Sequence, residues 1–122
     1  MDEGRLFERP VYRRARRLCL ALPETSERTA WGHPNFRAGR KVFCAFEIIK
    51  GRPSMAFKLK PAQAKRALRS REFFATPYGR GSWVSVWVDG DLHWDTVGAL
   101  VETSYRNVAL KRMLGALDAN GR

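Results

Sequence analysis

Two periods of apolar spacing run along this chain, and they predict its elements. In the stretch from Phe73 to Val88, FFATPYGRGSWVSVWV, a strand covers Ser82–Val88. Val84, Val86 and Val88 fall on one side of it, and Trp83, Ser85 and Trp87 on the other. A strand with one wet face puts polar residues there. Two tryptophans on that face mean one of two things. Either a second layer covers them, or they form a partly open aromatic surface beside the basic turn Thr76–Gly81. Coverage is the preferred expectation, because most aromatics are core.

Helical spacing governs both ends. Val11, Ala15, Leu18, Cys19 and Leu22 form one stripe, which predicts a helix over Phe7–Leu22 with Pro10 in its first turn and Pro23 at its end. Val97, Leu100, Val101, Tyr105 and Val108 predict a last helix from Trp94 or Asp95 to Leu117, its stripe extended by Arg112 or Met113. Asp95 suits a cap or a dipole partner at its start. Between these, the chain reads as a strand Arg28–Gly32, a turn Gly32–Asn35, and a hairpin of Phe36–Ala38 with Lys41–Ile49 around Gly39. The run VFCAFEII is apolar on both faces and so belongs in the middle of a sheet. A turn at Lys50–Pro53, a strand Ser54–Lys60 and a short helix Pro61–Arg69 follow, the helix with Ala64, Ala67 and Leu68 inward. No βαβ alternation is visible. The expectation is α+β: a single domain over residues 1–122, with a mainly antiparallel sheet and the N- and C-terminal helices packed on one face.

Charge changes this picture. The net charge is +11, and residues 37–80 hold twelve Lys/Arg against two acids, Glu47 and Glu72. Nearly all of the excess thus belongs to the middle of the chain, which points to a polyanionic partner. Three glycine turns carry cations at their tips: Arg40 and Lys41 beside Gly39, Lys50 and Arg52 around Gly51, and Arg80 between Gly79 and Gly81. With Lys65, Arg66 and Arg69 on the short helix, these are the candidate contacts to the phosphates of double-stranded DNA. Consecutive meander turns lie at opposite ends of a sheet, so Gly39 and Gly51 cannot share one site. No base-reading constellation is evident.

Other chemistries find little. His33 and His93 are the only histidines, neither in a ligand-spaced motif, and no CxxC exists, so no metal site or cofactor is expected. Cys19 and Cys44 read as small buried hydrophobes. No nucleophile has an activating base at a recognisable spacing, and the chain reads as a non-enzyme. No apolar run approaches the length of a membrane span, and the N-terminus lacks an apolar signal segment, so a cytoplasmic protein with no membrane partner is expected.

The segments LALPETSERTAWGHPNFRAGRKVFCAF, FFATPYGRGSWVSVWVDGDL and VETSYRNVALKR, with Trp31-Gly32-His33-Pro34, Thr76-Pro77-Tyr78 and Ser104-Tyr105 in combination, resemble the MmcQ/YjbR-like proteins over residues 10–113. The resemblance implies an α+β fold similar to the frataxin-like arrangement and a DNA-binding role of the "double wing" kind, with no catalytic residues. The alternative is a small-molecule or peptide module, in which Trp31, Tyr78, Trp83 and Trp87 line a cleft and Arg80 anchors an anion.

Overall fold

Pro10 opens the first helix, α1 (Pro10–Leu20), where its missing N–H costs no hydrogen bond. A computed structural model describes residues 9–30, 32–77 and 79–120; Phe7, Trp31 and Tyr78 lie outside the described residues. The helix buries Tyr12, Ala15 and Cys19, while Val11, Leu18 and Leu22 are only partly covered. The stripe is therefore turned by one position from the expected one. Tyr12 takes the deep place because its ring meets Phe46 edge-on at 5.1 Å and its hydroxyl donates to Glu27 Oε2. Both ends of an amphipathic side chain are satisfied.

Six strands form one sheet: β1 (Thr25–Ala30), β2 (His33–Ala38), β3 (Lys41–Ile49), β4 (Arg52–Lys58), β5 (Phe73–Ala75) and β6 (Trp83–Trp87). Their order is β1-β2-β3-β4-β6-β5, every neighbouring pair antiparallel. As its apolarity predicts, β3 is central. Of the expected turn at Gly32–Asn35 only Gly32 is turn; His33–Asn35 begin β2, with Pro34 opposite Thr29 of β1. Pairing of β2 with β3 begins only at Asn35, so Pro34 sits on an edge stretch, where proline is tolerated. A register shift between Phe36 and Arg37 brings two adjacent residues of β3 to the same side. Phe43 meets Tyr105 edge-on at 5.7 Å, and Cys44 lies beside Cys19 as a free thiol.

The helices pack on one face. Besides α1 they are α2 (Pro61–Ala67), α3 (Trp94–Val108) and α4 (Lys111–Ala119). Val84, Val86 and Val88 lie beneath them, in one buried cluster with Ala15 and Cys19 of α1 and Val97 and Val101 of α3. The last helix is broken where a continuous one was expected: Ala109 and Leu110 are extended, with ψ of 148° and 160°. A straight continuation of the stripe Val97, Val101, Tyr105, Val108 would drive Arg112 into the core. The break lets fully buried Met113 enter instead, and leaves Arg112 to pair with Glu24 at 2.8 Å. Because α2 stops at Ala67, Leu68 is 41% exposed rather than inward.

Candidate functional site

The face of the sheet away from the helices carries His33, Asn35 and Arg37 of β2, Ala45 and Glu47 of β3, Ser54 and Ala56 of β4, and the odd-numbered residues of β6. Coverage of the tryptophans by a second layer does not hold, because none of the described helices packs here. Trp87 is instead clamped individually. Phe74 stacks on it at 4.5 Å and the Arg52 guanidinium lies 4.0 Å above its ring. Trp83 has Lys58 near its ring, 5.8 Å from the centroid.

In the centre the residues are small. Ala45 and Ala56 pair across β3 and β4, Ala56 pairs with Ser85 of β6, and all three are buried. Ala45 and Ala56, with Asn35, Glu47, Thr76, Pro77 and Trp83 around them, line an open depression of about 310 Å³. Its wall from β5 to β6 is tied down by hydrogen bonds: Thr76 and Ser85 hydroxyls meet at 2.7 Å, and the Gly79 amide donates to Thr76 O at 2.9 Å. Burial pushes the Glu47 carboxyl above its usual range, partly opposed by His33 nearby. Glu47 Oε1, His33 Nδ1 and Arg37 Nε are buried without a hydrogen-bond partner among the described residues.

Antiparallel pairing sorts the expected phosphate contacts. Lys58 lies opposite Trp83, and Ala38 opposite Lys41, so the Gly39 turn and the β5–β6 connection share one end of the sheet. Arg40, Lys41 and Arg80 are therefore at one end, all exposed. By the usual strand spacing, these two turns are three strands, or about 14 Å, apart. Arg40, Lys41 and Arg80 are in none of the ion pairs among the described residues. Lys50 and Arg52 are at the opposite end, and Arg52 is engaged: it holds Asp89 with two hydrogen bonds of 2.8 and 3.0 Å. Those bonds hold the Asp89 carboxyl below the usual carboxylate range. Lys65, Arg66 and Arg69 are exposed on and just beyond α2, in the helix layer.

Of the expected aromatic cleft, Trp83 lines the depression and Trp87 does not, while Trp31 and Tyr78 lie outside the described residues. The polar wall residues Glu47, Asn35 and Thr76 were missed. An available signal was Glu47 itself, a lone acid inside the apolar run VFCAFEII. Among the described residues no group of three His, Cys, Asp or Glu could hold a metal ion, and no helix is long and apolar enough to cross a membrane.

Two solved structures share this fold. A protein from Pseudomonas syringae superposes with a TM-score of 0.63 at 14% identity, covering 88% of this chain and 98% of its own. Deinococcus radiodurans protein DR2400, a DUF419 domain, gives a TM-score of 0.64 at 19% identity, covering 84% of each chain. No curated protein matches the sequence. The YjbR family model matches residues 20–107, a span from the end of α1 almost to the end of α3 that takes in the whole sheet, and the chain belongs to the YjbR family.

Proposed function

We propose that the protein binds double-stranded DNA through its phosphate backbone, weakly and with little sequence preference, using the end of the sheet that carries Arg40, Lys41 and Arg80. One observation carries this reading. Two exposed cationic turns, separated by about the width of a DNA major groove (~12 Å), share one end of a rigid sheet and have no acidic partner among the described residues. Turn cations so placed reach phosphates on either side of a groove, and each neutralised phosphate releases counterions. Lys58 and Lys60 stand at the same end, between the two turns. Lys50 and Arg52, at the other end, take no part in the same contact.

The experiment is a salt titration of binding to a fluorescently labelled duplex. The log–log slope should be about −0.9 per phosphate contacted. Arg40→Ala and Arg80→Ala should each reduce that slope by about one and weaken unrelated sequences alike, while Arg52→Ala leaves it unchanged. An equal effect of Arg52→Ala, or no binding to any duplex at low salt, overturns the proposal.

A further inference from the structure

We propose that a cup between the β2–β3 turn and the start of α4 is a binding site for a small carboxylate with a compact apolar body. The cup holds about 250 Å³. It is lined by Val108 and Leu110 from the break between α3 and α4, and by Gly39, Arg40 and Lys41 from the turn, with Arg112 beside them. At about 30 Å³ for each water-sized group, it has room for about eight non-hydrogen atoms. A single exposed leucine is ordinary. Leu110 differs in that it is 51% exposed and walls a cavity. Its backbone is also fixed: the Leu110 carbonyl accepts from the Met113 and Leu114 amides at 2.9 and 3.1 Å. The break that carries Met113 into the core thus leaves an apolar side chain held at the cup.

Both walls are pinned to Glu24. The Gly39 amide donates to Glu24 O at 3.0 Å, and Arg112 donates to the two Glu24 carboxyl oxygens at 2.8 and 3.0 Å. Glu24 does this with a φ of 54°, a left-handed backbone that is uncommon outside glycine. The cup is therefore formed before any ligand arrives, and binding has little left to order. The cations choose the ligand's head group. Glu24 is committed to Arg112 and does not offset the others. Arg40 and Lys41 are exposed, line the cup, and are in none of the ion pairs among the described residues. An uncharged ligand would leave both cations without a partner, and a bare inorganic anion would leave Val108 and Leu110 uncovered. An apolar body with one carboxylate satisfies both, and an arginine fork takes a carboxylate through two parallel bonds. The site does not rest on the DNA reading, although Arg40 and Lys41 enter both.

The test titrates two probes of one shape, 3-phenylpropanoate and 3-phenylpropanamide, into the intact nitrogen-15-labelled protein and follows the backbone N–H resonances. The carboxylate should bind with a dissociation constant of about 1 mM or tighter and shift the resonances of Gly39, Leu110 and Lys111. At low salt it should bind about fivefold more tightly than the uncharged probe, and the advantage should shrink in about 1 M salt, where the Debye length is about 3 Å. Arg40→Ala with Lys41→Ala should remove the advantage and leave the uncharged probe within about twofold. Leu110→Ala should weaken both probes by about threefold or more, while Leu68→Ala, at an exposed leucine outside the cup, should weaken neither. A near-UV spectrum identical to the parent's establishes that each variant is folded. Equal affinity for the two probes at low salt, an advantage that survives the double substitution, shifts confined to residues away from the cup, or no binding of the carboxylate overturns the proposal. Binding of duplex DNA by the Leu110→Ala protein should be unchanged, which keeps a failure here separate from a failure of the DNA reading.

Discussion

Ser104 and Tyr105 are neighbours on α3, both fully buried, and substitutions at the two should move stability in opposite directions. The Tyr105 hydroxyl donates to Pro23 O at 2.8 Å, tying the middle of the last long helix to the connector between α1 and β1. Tyr105→Phe removes that bond and keeps the ring against Phe43. The lost bond and the stranded carbonyl together cost about 1–2 kcal/mol. Ser104 Oγ has no partner among the described residues, so Ser104→Ala removes a buried unsatisfied hydroxyl and improves helix propensity, stabilising by about 0.5–1 kcal/mol. For 122 residues the unfolding entropy is about 0.26 kcal/mol/K. The expected changes in Tm are a fall of about 4–8 °C for Tyr105→Phe and a rise of about 2–4 °C for Ser104→Ala. Thermal unfolding followed by near-UV circular dichroism measures both, and urea unfolding with an unchanged m-value checks that the transition stays two-state. The reasoning is refuted if Tyr105→Phe melts with the parent, or if the two substitutions destabilise alike.

Two further outcomes follow from the same geometry. Gly79→Ala should destabilise by about 1–3 kcal/mol and change the tryptophan emission, because the new methyl would meet Trp83 Cβ and, at 3.0 Å, the carbonyl oxygen of Thr76; Gly90→Ala, with open space around it, should be near neutral. At alkaline pH, burial raises the hydroxyl pKa of both Tyr12 and Tyr105, so the unfolded chain loses those protons first; their contribution is intact below about pH 10 and declines progressively as the pH rises from there through the raised folded-state pKa. The urea midpoint should fall across that range, and less steeply in Tyr12→Phe.

The parts of the fold legible in the sequence are those set by one element at a time. The valine alternation of β6 and the stripe of α3 each report a buried face without reference to anything else, and the structure has both in place. The misread elements depend on neighbours. Pro34 looks like turn material until β3 is known to pair only from Asn35 onward. The break at Ala109–Leu110 has no proline or glycine to announce it; it exists because Met113, and not Arg112, fits under the sheet. Trp87 reads as core by type, yet its cover is one arginine and one phenylalanine from two other strands.

The same distinction separates the two candidate sites. A surplus of cations is additive along a chain, so the basic middle was visible from composition. Which cations act together is not: Arg52 drops out because Asp89, far along the chain, takes both ends of its guanidinium. The depression is relational throughout. Ala45, Ala56 and Ser85 are unremarkable small residues on three strands, and only the register of β3, β4 and β6 sets them side by side. Larger residues there would fill the space and give Glu47 apolar neighbours on every side. With the small ones, Glu47 lines an open depression while its Oε1 stays buried and has no hydrogen-bond partner among the described residues, an arrangement that costs about 1–3 kcal/mol.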